Sequence, residues 1–235
     1  MKPLLSALLS ILVSMAAWAQ TPVIPKNHYG LPVVTNTALY QQLVAQIPDH
    51  ELVELASYVP GVVLDIKYAT ADNLVGEPVY TLATAYARKP VADALRKIQA
   101  DLKPLGLGLK IFDGYRPYQV TVHFYEKIKD TVYVASPRNG SRHNRGCAMD
   151  VTLVRLKDGQ ELEMPTAYDA TIPRAHANFK DVPRKVKKNR ELLKKTMQRH
   201  GFTVYAEEWW HYDFNDWRKF PLMDIRFEDL KALKR

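Results

Sequence analysis

Two short stretches concentrate side chains suited to metal and acid–base chemistry. The first is Ser141-Arg142-His143-Asn144-Arg145-Gly146-Cys147-Ala148-Met149-Asp150, and the second is Glu207-Glu208-Trp209-Trp210-His211-Tyr212-Asp213-Phe214. His143 and Asp150 stand seven positions apart with Gly146 between them, which excludes a simple helical pair. The spacing predicts a loop carrying His143, a turn at Gly146, and Asp150 projecting from the strand that follows. A loop histidine alone is as a rule a surface residue. In the second stretch two adjacent tryptophans lie beside two acids and a histidine, polar neighbours that need partners if the indoles are buried. A strand starting near Trp210 projects His211 from one face. Glu208 then lies in the preceding turn and can lean over the same spot.

Together the stretches offer two imidazoles and one carboxylate as ligands, with a second carboxylate, Glu208, left free. A catalytic zinc asks for three protein ligands, an open position and a general base. In such a site the ion lowers the pKa of water to ~7, within reach of a nearby carboxylate. The expectation is one zinc per chain, held by His143, Asp150 and His211. A third stretch, Asp113-Gly114-Tyr115-Arg116-Pro117, places a cation on a rigid turn. Arg116 there either stabilises an oxyanion, a contact whose loss typically costs ~3 kcal/mol of barrier, or pairs structurally with a carboxylate. The sequence leaves these two readings even.

The pattern Ser141-x-His143-x-x-Gly146-x-Ala148-x-Asp150 followed by Glu208-x-x-His211 resembles the zinc D-Ala-D-Ala peptidases, which share a fold with lysostaphin-type endopeptidases and the hedgehog signalling domain. The segment Asp65-Ile66-Lys67-Tyr68-Ala69-Thr70-Ala71-Asp72-Asn73 and the Asp113–Pro117 turn are similar to the VanX-type D-Ala-D-Ala dipeptidases among them. The likeness runs from about residue 60 to 215. It implies His143, Asp150 and His211 as zinc ligands, Glu208 as acid–base catalyst, and Arg116 at the scissile carbonyl. It further implies substrate contacts from Tyr68, from Asp169 in Met164–Asp169 through the free ammonium, and from Ser141. The implied reaction is hydrolysis of D-Ala-D-Ala to two D-alanines in peptidoglycan metabolism. Arg142 departs from the pattern, standing where these dipeptidases carry a small hydroxyl residue, and the stretch from Arg116 to His143 is shorter than in some relatives.

The elements that must position these residues are legible in outline. Lys89–Leu102 reads as a helix, with Pro90 in its first turn and Val91, Leu95, Ile98 and Leu102 on one stripe. Helices are also expected at Leu39–Ile47, Tyr118–Ile128 and Val186–Arg199. Strands are expected at Val62–Tyr68, Leu107–Phe112, Ala148–Leu156 with a short return at Gln160–Glu163, Phe202–Tyr205 and Trp210–Phe214. Residues 20–35 read as an extended arm, and 164–184 as a long loop of the kind that shapes a site. Without regular strand–helix alternation, the fold class is α+β, with a mainly antiparallel central sheet, flanking helices and the zinc site on the sheet.

The first nineteen residues have the grammar of a cleaved export signal: Lys2, an apolar run from Leu4 to Ala16, then Ala17-Trp18-Ala19. The run is short for a membrane span, which needs ~20 apolar residues. The expectation is therefore an exported protein, periplasmic or secreted, with residues 20–235 as a single domain and no membrane insertion, although such a signal is unlike dipeptidases that act in the cytoplasm. Removing Lys2 takes the formal charge from +8 to +7, which suits anionic envelope polymers. The only cysteine, Cys147, excludes an internal disulfide and reads as a small buried thiol. Nine Lys or Arg against two acids in Lys180–Arg199 read as a solvated face. His28, His50, His123, His176 and His200 lack a partner motif and read as surface or structural. The partners expected are a small D,D-dipeptide and peptidoglycan fragments, with no nucleic acid. Two other readings remain open: a D,D-carboxypeptidase or murein endopeptidase on longer peptides, and a zinc-bearing recognition module without catalysis.

Overall fold

The computed structural model describes residues 22–234. In chain order the elements are β1 (Val33–Val34), α1 (Thr37–Gln46), β2 (Leu52–Glu54), α2 (Leu55–Tyr58), β3 (Val63–Leu64), β4 (Tyr86–Arg88), α3 (Lys89–Leu102) and β5 (Leu107–Asp113). There follow α4 (Tyr118–Ile128), β6 (Ala148–Arg155), α5 (Arg184–Arg199), β7 (Phe202–Val204), β8 (His211–Phe214), β9 (Leu222–Met223) and α6 (Phe227–Ala232). Helices and strands mix as an α+β fold should. Among the described residues no helix is long and apolar enough to cross a membrane.

A five-stranded sheet in the order β3-β5-β6-β8-β7 forms the centre. β3 runs parallel to β5, and the remaining neighbours are antiparallel. β6 is buried from Ala148 to Val154, because its two faces are both covered. α3 packs on β5, and α5 on β6 and β7. The α3 stripe is fully buried at Val91, Leu95, Ile98 and Leu102, each such side chain contributing about 1.5–3 kcal/mol. Gln99 on the same helix stitches two neighbours, donating to the Gly61 carbonyl at 2.9 Å and accepting from Leu109 N at 2.9 Å.

Several boundaries differ from expectation. Only Val63–Leu64 of the Val62–Tyr68 stretch is strand; Lys67–Ala69 winds into a 3-10 turn. There Tyr68 O accepts from Val79 N and Tyr80 N, so the chain folds over its own loop instead of extending the sheet. The expected return strand at Gln160–Glu163 is a single bridge, Val154 to Glu161. The N-terminal arm is anchored: β1 pairs in parallel with β9. The β2–β4 pair, β9 and α6 were not anticipated. The stretch read as an export signal, residues 1–19, lies outside the described residues.

Candidate active site

Three adjacent strands deliver the site by register. Asp113 on β5 pairs with Asp150 on β6, and Asp150 pairs with His211 on β8. A register irregularity between Ile111 and Asp113 ends β5 beside the site, as bulges commonly do. His143 arrives from a 3-10 turn, His143–Arg145, which Gly146 closes at φ +68°. A Cβ at Gly146 would meet Leu52 Cδ2 at 2.7 Å. Asn144 ties this turn to the next one, donating to Arg116 O at 2.9 Å and Thr121 Oγ1 at 2.8 Å. Arg88, fully buried, donates from Nε to Arg145 O at 2.7 Å and also to His50 O.

His143 Nε2 lies 3.2 Å from His211 Nδ1 and 3.5 Å from Asp150 Oδ1, and the last two atoms are 3.1 Å apart. Ligands at 2.0–2.1 Å around a tetrahedral ion stand about 3.3–3.4 Å from one another, so this triangle fits one small cation. Among the described residues the buried Asp150 Oδ1 has no hydrogen-bond partner, an orphaned acceptor that a cation satisfies. Each candidate ligand is steered by its other polar atom. His143 Nδ1 donates to Gly114 O at 2.7 Å, His211 Nε2 to Asp213 Oδ1 at 3.0 Å, and Tyr168 OH to Asp150 Oδ2 at 2.8 Å. Such partners fix the tautomer and aim of metal ligands. Burial alone would raise the Asp150 carboxyl, but His143 and His211 outweigh it and hold it well below the usual carboxylate range.

Glu208 Oε2 sits 3.6 Å from His211 Nδ1, its side chain 15% exposed. Burial pushes its carboxyl up to about 8, against the pull of His211. Arg116 is paired with a carboxylate, one of the two readings that the sequence left open, and it also faces the cavity. Its Nε and Nη2 donate to Asp113 Oδ2 at 3.0 and 2.7 Å, and its guanidinium lies 5.1 and 4.8 Å from the Tyr68 and Phe124 ring centroids while lining the same cavity as the ligands. Asp169, at φ +60°, accepts from Tyr68 OH at 3.1 Å through Oδ1, whereas its shielded Oδ2 has no hydrogen-bond partner among the described residues. Burial raises this carboxyl to about 7, Asp150 adding to the effect. Ser141 Oγ accepts from His143 N at 3.2 Å. Tyr68, Arg116, Ser141, Asp169 and Glu208 line one cavity of about 430 Å³ together with His143, Asp150 and His211.

The sequence reading missed Asp113, Tyr168 and Asp213. Two had a signal: Asp113 opens the turn that carries Arg116, and Asp213 follows His211 at the strand period of two. Tyr168 had none. Its ring stacks on Phe112 at 4.5 Å and meets Trp210 edge-on at 5.5 Å, so Trp210 supports the ligand set while Trp209 packs and donates to Thr166 Oγ1. Cys147 is buried, its thiol pushed up to about 12.

A family model described as D-ala-D-ala dipeptidase matches residues 48–230. The chain belongs to this family. Among its dipeptidase relatives, the D-alanyl-D-alanine dipeptidase of Escherichia coli (strain K12) is 36% identical over 177 residues, 75% of this chain and 91% of that protein. That of Enterococcus faecalis (strain ATCC 700802 / V583) is 36% identical over 179 residues, 66% of this chain and 87% of its own. The Streptomyces coelicolor dipeptidase is 34% identical over 181 residues, covering 67% and 88%. Family membership makes the chain a metallopeptidase. It also corrects the expectation of an exported protein, periplasmic or secreted, which the match to D-alanyl-D-alanine dipeptidases such as that of E. coli does not support. That expectation rested only on the composition of residues 1–19, which lie outside the described residues.

Proposed function

We propose that this chain hydrolyses the D-alanyl-D-alanine dipeptide to two D-alanines, within peptidoglycan metabolism, using one zinc ion held on the central sheet by His143 Nε2, Asp150 Oδ1 and His211 Nδ1. One observation carries this reading: three donor atoms 3.1–3.5 Å apart with an unshared carboxylate, Glu208, beside them. Zinc, when bound, acidifies water and polarises a carbonyl. Glu208 accepts the proton of the attacking water and returns it to the leaving amine. Arg116, held rigid by Asp113, faces the oxygen that gains charge. Asp169, with Tyr68 fixing one oxygen, offers its free Oδ2 to the substrate ammonium, and Ser141 lines the same pocket. Residues 20–235 act as one peptidase domain whose N-terminal arm is extended.

A carboxypeptidase acting on longer peptides has no ammonium to place at Asp169. The test is hydrolysis of D-Ala-D-Ala measured beside an N-acylated peptide ending in D-Ala-D-Ala. Faster cleavage of the free dipeptide is expected; preference for the blocked peptide overturns the dipeptidase reading. A recognition module would need no base, so Glu208→Ala, which keeps the three ligands, separates binding from catalysis.

A further inference from the structure

A free dipeptide carries an ammonium and a carboxylate. Asp169 answers the first, while the roles proposed so far give the second no cation of its own. Three guanidiniums line the cavity: Arg116, Arg142 and Arg145. Arg116 is committed to Asp113 through two nitrogens, and Arg145 donates from Nη1 to Phe220 O. Arg142 is different. Its nearest anion, Asp213 Oδ2, is 3.4 Å from Nε, its side chain is 42% exposed, and among the described residues neither terminal nitrogen makes a hydrogen bond.

What holds Arg142 at the rim is an aromatic face. Its Cζ lies 5.1 Å from the Trp217 ring centroid, and Arg145 and Arg218 approach the same ring at 5.2 and 4.2 Å. Three cations gathered on one indole repel one another, and Asp213 offers only partial relief because its other oxygen already accepts from His211 Nε2. An anion arriving at Arg142 therefore finds a preoriented planar donor, free terminal nitrogens and a local excess of positive charge. A guanidinium pairs with a carboxylate in a two-pronged geometry that an ammonium cannot copy.

We propose that Arg142, braced by Trp217, receives the terminal carboxylate of the substrate and so restricts the enzyme to peptides with a free C-terminal carboxyl. The proposal rests on the dipeptidase reading above and adds to it the residue that measures the C-terminal end. A charge-assisted pair of this kind is worth ~10- to 100-fold in affinity.

The test uses the zinc-loaded Glu208→Gln protein, which should bind without turnover, and calorimetry with D-Ala-D-Ala and with its C-terminal amide. Adding Arg142→Ala is expected to weaken D-Ala-D-Ala ~10- to 100-fold while moving the amide little, so the acid-over-amide preference collapses. Arg142→Lys should recover part of it. Equal weakening of both ligands would mean that Arg142 acts through Asp213 and His211, and unchanged binding of both would mean that it touches neither; each overturns the proposal. Zinc content of the variants shows that the ligand triangle is intact. A protein that binds neither ligand before Arg142 is changed refutes the dipeptidase reading instead.

Discussion

In the proposed mechanism Glu208 is the residue on which turnover depends most, and its position separates catalysis from metal binding. Replacing it with Gln or Ala should lower kcat ~10²–10⁴-fold, the usual worth of a general base, with zinc content unchanged by metal analysis. Arg116 needs a gentler probe. Truncation to Ala would strand Asp113, which is 1% exposed, and an uncompensated buried charge costs about 3–5 kcal/mol. Arg116→Lys keeps a cation but loses the fork, and should lower kcat ~100-fold or more with little change in the urea midpoint. Asp169 makes a prediction with a sign. Its folded carboxyl titrates at about 7 against an ordinary 3.8, so the folded protein keeps a proton that the unfolded chain gives up. The stability this contributes is complete below pH ~4 and disappears as pH rises through 7. In metal-free protein the stability of Asp169→Asn relative to the unsubstituted chain should therefore grow between pH 5 and 8, read from urea midpoints. A constant difference would contradict the buried, unpaired setting of Oδ2.

At the scale of elements, the site is a row across three strands closed by two tight turns. Gly114 sits where those turns meet: its carbonyl accepts from His143 Nδ1, and a Cβ there would meet Tyr86 O at 2.7 Å. Gly114→Ala should displace that carbonyl and weaken zinc ~10- to 100-fold, the usual cost of losing a ligand's outer partner, measured by competition with a chelator. Much of this was legible in the sequence. The α3 stripe and the Pro117–Tyr118 break fixed their helices because proline and an apolar period of 3.6 have few alternatives. His143, Asp150, Glu208 and His211 stood out because their residue types and spacing fit few other chemistries. What stayed hidden has physical causes too. β2, β4 and β9 have two or three residues each, too short for periodicity, and exist through long-range pairing. Tyr168 reaches Asp150 only because the 164–184 loop folds back, which no local pattern encodes.

Across the whole molecule, the metal site and the fold support each other. The C-terminal segment locks beneath the Arg116 turn: Tyr115 OH donates to Ile225 O at 3.0 Å and accepts from Ile225 N at 2.9 Å, and Phe227 packs against Tyr80 and Tyr86. Zinc binds the folded chain, so free ion at a thousand times its Kd should add ~4 kcal/mol of stability. For a domain of this size that raises Tm by about 10 °C over chelator-treated protein, a shift that His211→Ala should abolish. The most direct measurement is anomalous diffraction at the zinc edge from crystals of the zinc-loaded protein. One peak is expected, about 2.0–2.2 Å from His143 Nε2, Asp150 Oδ1 and His211 Nδ1, with Glu208 outside bonding distance. A peak elsewhere, or none between those three atoms, would contradict it.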